Sequence, residues 1–286
     1  MAHPFPLAAI TDEFSPSDLE RALAGMAHVG MTGAELRVVG GRNAIELSDD
    51  ELDGVRKTVE ARGMTIVSLA SPLLKCVLPG SPELDTRVQH DVFGSPYTFD
   101  DQPRLTRRAF EVAERLGARI VRVFSYWRTV EPDRCYDAAR AALHDLAEEA
   151  GRRGMVIGVE NEHACNAGTG AEAARLIAGV DHPALKVVWD PANASILGEV
   201  PFPDGYRRLP ASRIVHVHAK DCVVKDHKPI WGPVGEMGVD WTGQIAALRR
   251  DGYDGWISLE THWTGPSGDK FEASSICGAN LRRLAA

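Results

Sequence analysis

Val156-Ile157-Gly158-Val159-Glu160 is an apolar run of strand length that closes on an acid. The pattern recurs downstream in Leu185-Lys186-Val187-Val188-Trp189-Asp190, Ile214-Val215-His216-Val217-His218 and Trp256-Ile257-Ser258-Leu259-Glu260. Short runs of this kind read as parallel strands buried on both faces. In a closed β/α barrel the C-terminal ends of such strands converge on one rim. Glu160, Asp190, His218 and Glu260 would then face one another. Three carboxylates gathered without a cation would be costly, because like charges resist ionising together. Three carboxylates and one imidazole suit a single divalent ion, manganese first and magnesium, cobalt or zinc otherwise, with positions left open for substrate oxygens.

Outward from these four runs, apolar and amphipathic segments alternate along all 286 residues. Earlier strands are expected at 7–11, 32–38, 64–69 and 120–124. Ser15 should cap a helix starting at Pro16, and Ser48 one starting at Asp49. Further helices are expected at 104–116 and 136–153, short ones at 171–177 and 204–209, and a last one at 270–284. Glycines 30, 33, 63, 117, 154, 252 and 255 stand before strands, where helix C-caps turn the chain back. Eight strand–helix units in series predict a single (β/α)8 TIM barrel, one domain over 1–286. An open doubly wound sheet alternates in the same way, but eight units fit closure. The stretch 72–102 is long for a loop and carries Phe93, Tyr97 and Phe99. It is expected to be a lid giving apolar walls to the site, or an oligomer contact.

Composition narrows the function classes. With 44% hydrophobic and 25% charged residues, the chain can bury a core without disulfides. A net charge of −8 offers no global attraction to phosphate backbones, so no nucleic-acid partner is expected. Cys76, Cys135, Cys165, Cys222 and Cys277 are odd in number and form no C-x-x-C pair, which reads as reduced thiols. Met1-Ala2-His3-Pro4-Phe5-Pro6 has neither a basic leader nor a long apolar stretch, so a cytoplasmic protein without membrane contact is expected.

Period-2 alternation places His216 and His218 on one strand face, and Ser258 and Glu260 on another. His218 lies nearer the rim and is the expected ligand; His216, deeper, is expected to support it or to pack in the core. Glu35 and Arg37 share a face of the second strand and either line the pocket or pair with each other. Arg122 on the fourth strand and Glu162 past Glu160 are further polar candidates at the mouth.

At this point the residues match a family. Val159-Glu160-Asn161, Trp189-Asp190-Pro191-Ala192-Asn193, His216-Val217-His218-Ala219-Lys220-Asp221, residues 235–241 (GEMGVDW) and Leu259-Glu260-Thr261 resemble the xylose-isomerase-like barrel superfamily, as do residues 11–14 and 33–37. That superfamily includes sugar isomerases and epimerases, inosose and dehydroshikimate dehydratases, and endonuclease IV-type repair enzymes. The resemblance implies that Glu160, Asp190, His218 and Glu260 hold the metal and that Glu160 and Glu260 also shuttle protons. Where many members have a histidine three residues after the aspartate, this chain has Asn193, which either bonds a substrate hydroxyl or forms an Asx turn. Lys220 and Asp221 are expected beside His218. Of the tryptophans near strand ends, Trp127, Trp231 and Trp263 could pack on a sugar, while Trp241 anchors a loop. Lys225 and Lys228 could join Lys220 at an anion.

The implied activity is a divalent-metal-dependent isomerase or epimerase of a small sugar or keto-polyol, transferring a proton through a metal-stabilised enediolate. A dehydratase of the inosose or dehydroshikimate type would use the same site. An endonuclease IV-like enzyme would want histidines where the second to fourth strands end, and Arg37, Ser71 and Tyr126 stand there. A homo-oligomer is expected from family likeness.

Overall fold

The first strand pairs with the last, and this closes the barrel. In the computed structural model, which describes residues 4–89, 94–226 and 228–286, Leu7 lies opposite Ile257 and Ala9 opposite Leu259. The barrel strands are β1 (Leu7–Ile10), β2 (Gly33–Leu36), β3 (Thr65–Leu73), β4 (Ile120–Val123), β5 (Val156–Glu160), β6 (Leu185–Trp189), β7 (Ile214–Ala219) and β8 (Trp256–Leu259). Each runs parallel to its sequence neighbours around the ring. A helix follows each strand: α1 (Leu19–His28), α2 (Asp49–Ala61), α3 (Gln102–Leu116), α4 (Tyr136–Arg152), α5 (Gly170–Ala178), α6 (Pro191–Ile196), α7 (Trp241–Arg250) and α8 (Lys270–Ala285). The chain is a single (β/α)8 TIM barrel.

Local chemistry explains the elements. Strands such as β1 and β4 are buried along their whole length, between the barrel interior and the helices, so they read as apolar runs. Helix α3 buries Leu105, Ala109, Phe110, Val112, Ala113 and Leu116 on one face and stops at Gly117, whose φ of 73° suits a residue without Cβ. Ser48 opens α2 with a capping box to Glu51.

Several expectations are corrected. The first long helix starts at Leu19 and is capped by Asp18; Thr11–Phe14 already forms a helical turn straight off β1, and Ser15 ends it. Gly33 and Gly255 are not helix caps at positive φ. A Cβ on Gly33 would sit 2.7 Å from the Trp256 ring, and one on Gly255 2.5 Å from the Tyr253 hydroxyl, so close approach excludes a side chain there. After β6 a helix begins at once, because Asp190 caps it and Pro191 occupies its first turn; the expected segment at 204–209 shrinks to Tyr206–Arg208.

The 72–102 stretch is tied down by backbone bonds, Asp85 N–H to Arg128 O at 2.9 Å and Val130 N–H to Glu83 O at 2.9 Å. Of its described aromatic residues, Tyr97 donates its hydroxyl to Glu46 and Phe99 packs on Tyr126 at 6.1 Å. Phe93 and the leading Met1, Ala2 and His3 lie outside the described residues. An antiparallel hairpin, Asp221–Lys225 with Lys228–Gly232, rises from the end of β7. The five cysteines are buried and form no disulfide with one another. Among the described residues no helix is long and apolar enough to cross a membrane.

Candidate metal centre at the barrel mouth

Glu160 ends β5, Asp190 follows β6, His218 lies one residue before the end of β7, and Glu260 follows β8. Closure brings one donor atom from each within 4.8 Å of the others, and all four side chains are buried. His218 presents Nδ1 to this group, 3.2 Å from both Glu160 Oε1 and Glu260 Oε2. Asp190 is held from two sides: its backbone N–H donates to Asn161 Oδ1 at 2.7 Å, and its Oδ1 accepts from the Asn193 N–H at 2.9 Å.

Cations from across the barrel meet these acids. Arg37 donates to Glu260 Oε1 at 2.8 Å and spreads its other nitrogens over Asp12 and Glu13. Arg122 Nη1 lies 3.2 Å from Glu160 Oε2, with its guanidinium over the Phe124 ring. Lys220 Nζ sits between Asp190 Oδ2 at 2.9 Å and Glu260 Oε2 at 3.0 Å. Arg37 thus turns to Asp12, Glu13 and Glu260, whereas Glu35 faces His216 and His218. Asp221 turns away from the site and accepts the N–H groups of Gly235, Met237 and Val239, fixing that loop.

The electrostatics follow from burial set against charge. Burial pushes the Asp190 carboxyl up to about 6, with Lys220 pulling the other way. Burial would also raise Glu260, but Lys220 and His218 outweigh it and hold that carboxyl well below the usual range. For His218, burial alone would favour the neutral ring; the carboxylates of Glu35, Glu160 and Glu260 reverse this and hold its pKa well above that of an ordinary imidazole. The set therefore attracts positive charge at the His218 Nδ1 position. Glu160 Oε2 and Asp190 Oδ2 are buried and accept no well-directed hydrogen bond, although Arg122 and Lys220 lie close. Three buried carboxylates with one donor atom each beside an imidazole nitrogen are a donor set that a divalent ion accepts, so the residues fit one.

Beside Glu260 lies a cleft of about 240 Å³, with Arg37, Arg122, Lys75, Glu162, Trp231 and Glu260 in its walls. The remaining expected residues fall into two groups. Arg37, Arg122 and Glu162 reach the cleft; Glu35, His216 and Asn193 are fully buried and are not among its lining residues. Asn193 spends both ends of its amide inside the protein, donating to Glu160 Oε1 at 3.3 Å and accepting from His163 Nδ1 at 2.9 Å. Trp241 is buried and donates its ring N–H to the Lys220 carbonyl at 3.2 Å, anchoring the loop as expected. Lys225 and Lys228 stay exposed on the hairpin, away from buried Lys220.

Three residues escaped the sequence reading. His163 lies 2.8 Å from Glu162 and lines the cleft, as does Lys75, which is 3.8 Å from Glu162. His262 packs its ring on Trp231 at 4.7 Å and meets Lys220 at 3.4 Å. Continuing the alternation of Ser258 and Glu260 by two more residues would have pointed to His262. Nothing local marks Lys75, which sits in a turn.

A family model described as xylose isomerase-like TIM barrel matches residues 23–277. No curated protein matches the chain. Among solved structures, it resembles a xylose isomerase-like TIM barrel/4-hydroxyphenylpyruvate dioxygenase fusion protein at 21% identity and TM-score 0.67, over 99% of this chain but only 42% of that one. It also resembles the 3-keto-D-glucoside 4-epimerase of E. coli, at 17% identity and TM-score 0.69 over 98% of this chain and 99% of that one. The probable 3-DHS dehydratase of petrobactin synthesis from Bacillus anthracis matches at 17% identity and TM-score 0.71, over 99% of both chains. Other matches include structures solved with magnesium and with zinc. At these identities the likeness is one of fold.

Proposed function

The chain belongs to the xylose isomerase-like TIM barrel family, and from that premise we propose that it is a divalent-metal-dependent isomerase or epimerase of a small polyhydroxylated carbonyl compound. The observation that carries this reading is the convergence of Glu160, Asp190, His218 and Glu260 within 4.8 Å, with Glu260 also in the wall of a cleft. These four would hold the ion, manganese being our first choice for a carboxylate-rich set with one imidazole. When bound, a divalent ion supplies Lewis acidity toward a substrate carbonyl and its neighbouring hydroxyl, acidifying the hydrogen on carbon.

The chain's own residues move the proton. Glu160 and Glu260 come from β5 and β8 and flank His218 Nδ1, each 3.2 Å from it; in this reading one removes a proton and the other returns it. Arg122 lies 3.2 Å from Glu160 and Arg37 donates to Glu260, so both carboxylates are held in place by a guanidinium. Lys220, bridging Asp190 and Glu260, completes the charge pairing. Trp231 offers an aromatic face in the cleft wall for sugar C–H surfaces.

A dehydratase reading draws support from His163. Its Nδ1 is held by Glu162 and Asn193, and although burial favours the neutral ring, the Glu162 carboxylate raises its pKa. A cationic imidazole in the cleft wall could protonate a departing β-hydroxyl after the α-proton is removed, releasing water. Incubation of the manganese-loaded protein in D2O with free ketoses, inosose and dehydroshikimate separates the readings. Deuterium on carbon together with an epimer or isomer supports the first. Loss of water without an epimer favours the second, and no exchange with any carbonyl compound contradicts both.

A further inference from the structure

We propose that Glu35 is a positioning residue that fixes which nitrogen of His218 faces the ion; this rests on reading the four rim residues as a metal centre. Glu35 stands on β2 immediately after a register shift between Ala34 and Glu35, an irregularity that re-aims a side chain. It is fully buried and absent from the cleft walls, so it does not meet substrate. Its Oε2 instead takes three donors: Ser258 Oγ at 2.8 Å, His216 Nε2 at 2.9 Å and His218 Nε2 at 3.1 Å.

A carboxylate can only accept, so Nε2 of His218 carries a hydrogen and points down to Glu35. Nδ1 is the nitrogen that lies among the rim residues, 3.2 Å from Glu160 Oε1 and Glu260 Oε2, so it is the one that would exchange its hydrogen for the ion while Nε2 keeps its bond to Glu35. Metal-bound imidazoles commonly donate their second ring N–H to a carboxylate in this way, which fixes the tautomer and raises ligand basicity. His216 serves the same end. It shares Oε2 and packs edge-on against His218 at 5.3 Å, so the lower ring walls in the upper one. Glu35, His216 and His218 could by themselves hold a second ion, and Glu35 Oε1 is buried without a hydrogen bond. Three hydrogen-bond-length contacts on the other oxygen favour the positioning role.

The test is manganese binding by titration calorimetry on the full chain, for wild type, Glu35→Gln and Ser258→Ala, with metal-free thermal unfolding as the folding control. We expect one ion per wild-type chain, an affinity about 10–100-fold weaker in Glu35→Gln, and a smaller loss in Ser258→Ala. In zinc-loaded, 15N-labelled wild-type protein, the His218 ring should show a protonated Nε2 and a metallated Nδ1, a readout that needs no variant to fold. Unchanged affinity in Glu35→Gln, or metal on Nε2, overturns the positioning role alone. Two ions per wild-type chain, with one lost in Glu35→Gln, assigns the cluster to a second ion and also overturns it. A wild-type chain that takes up no ion overturns this proposal together with the functional reading beneath it.

Discussion

Strands β5 to β8 deliver Glu160, Asp190, His218 and Glu260 to the rim, whereas β2, β4 and the turn after β3 deliver Arg37, Arg122 and Lys75. One side of the mouth thus supplies oxygen and imidazole donors, and the other a cationic wall that reaches across to meet them. Lys220 crosses the divide, a lysine rooted among the acids. The difference teaches that buried acids can gather on one side of the mouth because cations from the opposite wall, Arg37 on Glu260 and Arg122 beside Glu160, reach across to pair with them.

The comparison is broken first by neutralising the acid side. Under the proposed proton-transfer roles, Glu160→Gln or Glu260→Gln should cut kcat by ~10²–10⁴ when the ion is retained; steady-state kinetics with the metal content of each variant measured checks this. Neutralising the cationic side acts on folding. Arg37→Met leaves Asp12, Glu13 and Glu260 facing one another in the interior and should destabilise the fold by about 3–5 kcal/mol, read by urea unfolding. If that variant is as stable as wild type, Arg37 does not hold the acid side together.

Chelation sharpens the contrast without mutation. An ion present at a hundred times its dissociation constant stabilises by about 2.7 kcal/mol, so its removal should lower Tm, and manganese should restore it. Glu160→Gln should narrow that metal-dependent shift, whereas Trp231→Ala should leave it intact. The smallest effect expected is in the cleft wall, where Trp231→Ala should raise KM by a few-fold, consistent with an aromatic contact worth about 0.5–1.5 kcal/mol, with kcat nearly unchanged.

The donor side was legible in the sequence because each acid closes an apolar run, and strand direction then decides where it points. Asp190 was legible twice over, since Asp-Pro both ends β6 and caps α6. The cationic side was legible only as isolated arginines: Arg37 and Glu260 are 223 residues apart, and only closure of the barrel joins them. Glu35 was placed on its strand but not given its partners, because the bulge beside it and the two histidines 181 and 183 residues away belong to tertiary structure. Asn193 looked like a substrate contact because its amide was free on paper; in the folded chain Glu160 and His163 occupy it. Ser15 failed as a cap because the helical turn at Thr11–Phe14 had already used that stretch of backbone.

A crystal soaked in manganese and measured at the metal's absorption edge tests the central claim most directly. The account predicts one anomalous peak bonded to Glu160, Asp190, Glu260 and Nδ1 of His218. An empty rim, or a peak held by Glu35 and His216 alone, would contradict it.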